Sequence, residues 1–264
     1  MKTNKWALRQ LFNIPRLLIL SAILIIAACS KSNNGTTVTP TGYANVAVIN
    51  ASPTSSMYSV YSDTSNIYSG NTISYGGATG VNGGSPYEVV TSGSHAIKLS
   101  SNGTTYPLDT TLNLNANSYY SVFAYDTAVG SGNLKTLVLN DNLSVPANGN
   151  AEVRFVNLSP NSSALNVWLI NADTTMKDTT ALNNIGYVGS STINTDSLSA
   201  FKTITPGTYN VYFNSANTLQ NLFATNSTNT VTFTSGKIYT IYSKGYVNGV
   251  NGTDSLGLGV IQNY

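Results

Sequence analysis

Short runs rich in apolar residues, several of them alternating with polar residues, recur along the chain from residue 43 onward. The clearest runs lie between turn residues at 46–49, 96–99, 119–123, 153–156, 209–213 and 238–242. A period of two, with β-branched and aromatic residues, is typical of strands with one buried face. No stretch beyond the N-terminal segment has a convincing helical period of 3.6. The pattern therefore predicts an all-β protein of the sandwich class.

The chain also repeats itself. Residues 44–53 match 151–160, residues 93–99 match 207–213, and residues 117–123 match 236–242. The three matches keep their order, and their offsets rise from 107 to 119 residues, as small loop insertions would produce. A duplicated unit of about 105–115 residues has the size of one β-sandwich. We therefore predict sandwich domains at 43–147 and 148–264, with the boundary in the turn-rich stretch 144–149.

The first 28 residues have the three parts of a secretory signal. The basic part carries Lys2, Lys5, Arg9 and Arg16. The apolar run at 17–28 is shorter than the about 20 residues that a membrane-spanning helix needs. It ends in Ile26-Ala27-Ala28-Cys29, which resembles the lipobox of bacterial lipoproteins. This resemblance implies cleavage before Cys29 and acylation of that cysteine. A plain N-terminal membrane helix is the alternative.

The predicted location in the cell follows from the lipid anchor at Cys29. Residues 29–42 are rich in Gly, Ser and Thr and read as a flexible tether. Retention in the inner membrane is marked by an acidic residue after the acylated cysteine, and Ser30 is not acidic. We therefore expect a lipoprotein of the outer membrane in the cell envelope. Its partner is the membrane, through the lipid at Cys29. Lys31 fits a surface-export tag but Ser32 and Asn33 do not, which leaves the periplasmic and the surface face open.

Charge and cysteine content narrow the function classes. The signal segment holds four of the twelve basic residues and none of the ten acidic ones, so the mature chain has a net charge of about −2. It has no basic run, and we expect no nucleic-acid partner. Cys29 is the single cysteine, so no disulfide can form within one chain and the domains depend on their cores.

One stretch carries a family resemblance. The string Ala-x-Val-Arg-Phe-Val-Asn-x-Ser-Pro at 151–160, the strand pattern at 164–169 and Pro-Gly-Thr-Tyr at 206–209 resemble the domain of unknown function 4397 family. The unit at 43–147 reads as a divergent first copy. The resemblance implies an extracytoplasmic β-sandwich that often occurs on lipoproteins, and it brings no catalytic residues. We expect two tandem immunoglobulin-like or transthyretin-like β-sandwich domains after the signal peptide.

The sequence gives little support for a catalytic function. His95 is the single histidine, so a Ser-His-Asp arrangement would have to use it as base. It aligns with Tyr209 and shares a strand face with Ile97, which favours a half-buried structural ring. The two glutamates, Glu88 and Glu152, lie in different repeats, so a glutamate pair for glycoside hydrolysis is not expected. We predict no catalytic residue, no cofactor and no metal site.

Aromatic residues are the main candidate for ligand contact. Trp168 stands opposite the apolar face formed by Leu165, Val167 and Leu169, so it points outward if that face is core. Its counterpart in the first repeat is Tyr61. Packing between sheets or domains is the alternative, since aromatic residues fill sandwich cores.

Six aspartates are each followed by Ser or Thr and then by Ala, Leu or Thr. This context resembles an O-glycosylation sequon of Bacteroidota envelope proteins, whereas Asp-Thr and Asp-Ser pairs are also common in turns and caps. The candidate acceptors are Thr110, Thr127, Thr174, Thr179, Ser197 and Ser255.

Taken together, the sequence predicts a non-enzymatic binding or adhesion lipoprotein with a glycan or an envelope protein as partner. A structural spacer is the second hypothesis, and a carbohydrate-active hydrolase is the third.

The address and the modifications are tested by the intact mass of the protein isolated from its native host. We expect the mass of residues 29–264 plus several acyl chains at Cys29. Cys29→Ala should abolish both acylation and cleavage, because both depend on the thiol, and should leave a chain that keeps residues 1–28 and carries no acyl mass. Sugar mass on the six candidate acceptors would add to this value. A mass equal to peptide plus lipid would eliminate the glycosylation hypothesis, and an uncleaved, unacylated chain would eliminate the lipoprotein.

Overall fold

A computed structural model describes nine stretches of the chain. They are residues 42–53, 56–80, 84–126, 134–173, 182–190, 193–218, 221–223, 229–249 and 255–264. The described residues belong to one compact unit. Within these stretches the chain is nearly all β, so the predicted fold class is confirmed, while the finer immunoglobulin-like or transthyretin-like type stays a prediction. No helix among them is long and apolar enough to cross a membrane.

The strands of the first half form two four-stranded sheets. Their bounds are β1 (Tyr43–Asn50), β2 (Ser59–Ser62), β3 (Ser65–Asn66), β4 (Glu88–Thr91), β5 (Gly93–Ser100), β6 (Leu108–Leu114), β7 (Tyr119–Tyr125) and β8 (Lys135–Asn140). One sheet has the order β4-β1-β7-β8 and the other the order β3-β2-β5-β6. Residues of both sheets, among them Val46, Val60, Leu99 and Val122, bury their side chains in one core.

The second half forms a four-stranded and a three-stranded sheet. Its elements are β9 (Ala151–Asn157), β10 (Leu165–Asn171), α1 (Thr195–Ser199), β11 (Lys202–Ile204), β12 (Gly207–Ser215), β13 (Thr230–Phe233), β14 (Ile238–Lys244) and β15 (Gly257–Gln262). The sheet orders are β11-β9-β14-β15 and β10-β12-β13. A second core joins these sheets through residues such as Phe155, Val167 and Phe213. All six alternating runs of the sequence lie within strands, whereas the one-turn helix α1 has no sequence prediction.

The strand pairings of the first half recur in the second. β1 runs parallel to β7 with Val46 opposite Tyr120, and β9 runs parallel to β14 with Val153 opposite Tyr239. These are the same positions in the sequence repeat. The Tyr120 hydroxyl accepts from the backbone N–H of Asn115, and the Tyr239 hydroxyl accepts from the N–H five residues before it in the same way. The sequence repeat is therefore also a repeat of register and local hydrogen bonding.

A third apolar cluster lies between the two sandwiches. It joins the outward face of the β1/β7 sheet to the outward face of the β9/β14 sheet, with Ile49, Phe123, Val156 and Tyr242 fully buried. Phe123 and Tyr242, which occupy equivalent positions in the repeat, meet edge to face with ring centroids 5.8 Å apart. The Tyr242 hydroxyl donates to the backbone oxygen of Gly76 at 2.8 Å. The two sandwiches thus share a core of their own.

A buried ion pair lies in the same interface. The Arg154 guanidinium contacts Asp141 Oδ1 at 2.6 Å, and both side chains are at most 1% exposed. Asp141 Oδ2 accepts from the hydroxyls of Tyr87 at 2.6 Å and Ser121 at 2.7 Å. Arg154 also donates to Ser121 and, through Nε, to Thr240 at 2.9 Å. Moving each of these two charged groups out of water costs several kcal/mol, and the ion pair together with the hydrogen bonds from and to the neighbouring hydroxyls compensates for that cost.

The packing of this interface is tested at Gly259 on β15. A Cβ atom there would overlap the ring of Tyr242, which has little room to move between Gly259 and Phe123. Gly259→Ala should therefore lower the free energy of unfolding by about 1–3 kcal/mol, as measured by urea denaturation.

Gly257 on the same strand provides the matched control. A Cβ atom added there would come no closer than 3.7 Å to any heavy atom, so Gly257→Ala should leave stability nearly unchanged. Equal stability of the two variants would contradict the described position of the Tyr242 ring.

Candidate functional site

The outward face of the three-stranded sheet carries Trp168. Leu165, Val167 and Leu169 of β10 are buried in the second core, so strand alternation turns Trp168 to the opposite side. The sequence predicted that Trp168 points outward if the face of Leu165, Val167 and Leu169 is core, and that face is core. Its side chain is half-buried, and it lies directly opposite Tyr212 of β12. Two aromatic side chains therefore share this face.

Amide and apolar side chains border this aromatic pair. Asn166 and Ile170 flank Trp168 along β10, and Asn210 lies opposite Ile170 on β12. Asn166 Oδ1 accepts from the backbone N–H of Asn184 at 2.7 Å, which fixes its amide. We call Asn166, Trp168, Ile170, Asn210 and Tyr212 the Trp168 face. A flat aromatic surface with amide groups at its border can combine ring stacking with hydrogen bonds.

The corresponding sheet of the first sandwich has a different outward face. Tyr61 of β2 is half-buried and packs edge to face on Tyr106, with ring centroids 5.9 Å apart. Lys98 of β5, directly opposite Tyr61, lies over the Tyr106 ring at 5.2 Å and contacts Asp109 at 3.6 Å. We call these four residues the Tyr61 face. It offers aromatic rings beside one positive and one negative charge.

The register makes Tyr61 and Trp168 equivalent. Tyr61 is paired with Lys98 and Trp168 with Tyr212, and the partners are 114 residues apart, the offset of the matching β5 and β12 runs. The predicted correspondence of the two aromatic residues therefore agrees with the strand pairing. Neither Tyr106 nor Tyr212 was predicted as a contact residue, although Tyr212 belongs to the alternating run at 209–213.

His95 lies in a polar cluster of the first sandwich. Its Nδ1 is 2.7 Å from Asp63 Oδ2, and its Nε2 is 3.1 Å from Thr91 Oγ1. The His95 side chain is 17% exposed and that of Asp63 53% exposed. Asp63 stands in the turn after β2 with a φ of 55°, and its second oxygen accepts from the N–H of Ala96 at 2.9 Å. The predicted half-buried position is therefore correct, whereas sequence reasoning found neither partner.

Two hydrogen bonds stabilise the charged form of Asp63. The backbone N–H of Ala96 has the larger effect and the His95 side chain the next, and together they lower the pKa of the Asp63 carboxyl against a smaller opposing effect of burial. The carboxylate therefore keeps its charge, and its position beside the imidazole, under mildly acidic conditions.

The other predicted sites have varied surroundings. Ser197 is exposed in α1, Ser255 is half-buried beside Tyr246, and Thr110 is half-buried on β6, on the side that faces the core. The remaining sites, Cys29, Thr127, Thr174 and Thr179, lie outside the described residues. In the stretches that the structure describes, no group of three or more His, Cys, Asp or Glu side chains is arranged to hold a metal ion.

The sheets of the described residues define an all-β protein built from packed β-sheets. The family model described as "Domain of unknown function (DUF4397)" matches residues 44–168. This match begins at the second residue of β1, covers the other strands of the first sandwich and β9, and ends within β10, so that it includes Arg154 and Trp168. No curated protein matches the chain.

Proposed function

We propose that this protein is an envelope lipoprotein in which two copies of one family domain form a rigid binding module. The lipid at Cys29 would hold the module at the outer membrane. The outward Trp168 face and Tyr61 face would contact a glycan, with an envelope protein as the alternative ligand.

The proposal of a second copy is supported by the repeated geometry. Asn50 and Asn157, at the ends of β1 and β9, are both fully buried. Each accepts through Oδ1 from the backbone N–H of the serine two residues later, Ser52 or Ser159. Each also donates through Nδ2 to a backbone oxygen six residues later at 3.4 Å. Shared register and shared turn chemistry at the matched motif favour duplication over chance resemblance.

The proposal of glycan binding rests on one observation: equivalent outward positions of both sandwiches hold an aromatic ring beside a second ring and polar groups. A pyranose presents a C–H face that can stack on an aromatic ring, and its hydroxyls can bond to amides such as those of Asn166 and Asn210. Charged groups dominate only the Tyr61 face. We therefore assign the glycan to the Trp168 face first.

The alternative function, a spacer that holds a partner away from the membrane, is favoured by the interface between the sandwiches. The buried Arg154–Asp141 pair and the Phe123–Tyr242 contact oppose hinge motion between the domains. Rigidity suits a spacer, but it also presents the two faces in a fixed arrangement, which suits a binding module equally well.

A screen of host-envelope polysaccharides with the lipid-free mature chain tests the binding function. Trp168 is the single tryptophan after residue 28, so its fluorescence reports contact with a ligand. We expect a change in emission on binding, and Trp168→Ala should weaken binding at least about tenfold, since central aromatic contacts contribute about 2 kcal/mol or more.

Tyr43→Ala is the matched control, because Tyr43 is 62% exposed and belongs to neither face. It should leave the affinity unchanged. Equal loss with Tyr43→Ala would place the contact elsewhere. Absence of binding to every polysaccharide and to envelope-protein extracts would reject the binding function in favour of the spacer.

A further inference from the structure

The polar cluster around His95 has an arrangement that its structural role does not require. A carboxylate only accepts hydrogen bonds, so the contact with Asp63 places the proton of the neutral ring on Nδ1. Nε2 then offers its lone pair to the Thr91 hydroxyl at 3.1 Å. An exposed hydroxyl, an imidazole and a carboxylate thus follow one another in the order used to activate an oxygen nucleophile.

The second sandwich shows what a purely structural residue does at this position. Tyr209 is equivalent to His95, and its hydroxyl donates to the backbone oxygen of Thr205 at 2.9 Å. Thr205 is the residue equivalent to Thr91, and Tyr209 is only 2% exposed. A buried tyrosine whose hydroxyl bonds to the backbone therefore completes the fold there. In the first sandwich, the same position holds a residue that can accept a proton.

Thr91 is exposed, so its hydroxyl can be reached from solvent. A partly open depression of about 270 Å³ lies next to it along the chain; Ser92 to Ser94 and residues 113–116 line it, whereas Thr91, His95 and Asp63 do not. Gly93 adjoins the imidazole: a Cβ atom there would lie 3.7 Å from Nε2, and its φ of 125° disfavours any larger residue. A Cβ atom at that distance would make an ordinary contact with the ring, so the backbone conformation, and not the imidazole, is what favours glycine here.

We propose that Thr91, His95 and Asp63 form an acyl-transfer site that reacts with small, solvent-accessible esters such as acetyl esters. This site goes beyond the proposed binding function and shares no residue with either face. Thr91 and His95 are the catalytic residues, and Asp63 is a positioning residue that acts through the ring.

The reaction has two balanced steps. Thr91 Oγ1 attacks the ester carbonyl carbon while its proton passes to His95 Nε2, and the departing alcohol takes that proton as the carbon–oxygen bond breaks. The product is an ester of Thr91. Water then attacks this ester with His95 as base, which releases the carboxylic acid and restores the hydroxyl. Water is the only co-reactant.

The test uses the full-length protein in detergent with p-nitrophenyl acetate as the probe. We expect release of p-nitrophenol and one acetyl group on Thr91 by peptide mass spectrometry. Thr91→Val and His95→Tyr should each lower the rate about 100-fold, as loss of a nucleophile or its base does. Thr91→Ser should retain activity. His95→Tyr installs the residue of the second sandwich, and the melting temperature confirms that each variant is folded.

The role of Asp63 needs a second readout. Asp63→Asn should lower the acetylation rate and shift the imidazole tautomer seen in the ¹⁵N spectrum, which is simple because the chain has a single histidine. Acetylation only at other residues, or unchanged rates in folded Thr91→Val and His95→Tyr, would overturn the proposal and leave a structural clamp. Neither result bears on glycan binding, which Trp168→Ala tests separately.

Discussion

The contact between Arg154 and Asp141 determines the register in which the two sandwiches pack against each other. Both charges are buried, and truncating one partner of such a pair costs about 3–5 kcal/mol because the other charge stays buried without compensation. The pair is directional, so it favours one register of the two apolar faces over others that would bury the same area. Arg154 comes from the second sandwich and Asp141 from the first. Without a disulfide in the chain, this interface is what makes the described domains one body.

Much of the fold follows from the sequence, but the interface does not. Alternation identifies the strands, and matched motifs identify the repeat. Residues 46–49 and 120–125 are almost continuously apolar, which is the pattern of strands buried on both faces. That pattern shows that β1 and β7 are covered on their second side without showing by what. Arg154, a charged residue in a core strand, was the available signal, and its partner Asp141 has no recognisable sequence context.

The candidate sites also differ in how far the sequence alone could predict them. Trp168 and Tyr61 could be assigned from strand period alone, because a face is a local property. The cluster of Asp63, Thr91 and His95 could not, because it joins a turn with positive φ to the two sides of a corner at Gly93. The alignment of His95 with Tyr209 correctly indicated a half-buried ring. It could not show which groups the ring nitrogens reach.

We expect both sandwiches to form a single cooperative body that presents its faces in a fixed arrangement. Differential scanning calorimetry of the lipid-free mature chain tests it most directly, since a two-state unit has equal calorimetric and van't Hoff enthalpies of unfolding. We predict one transition with a ratio of the two enthalpies near one. Two separable transitions, or a ratio near two, would show that the domains unfold independently and would contradict the account.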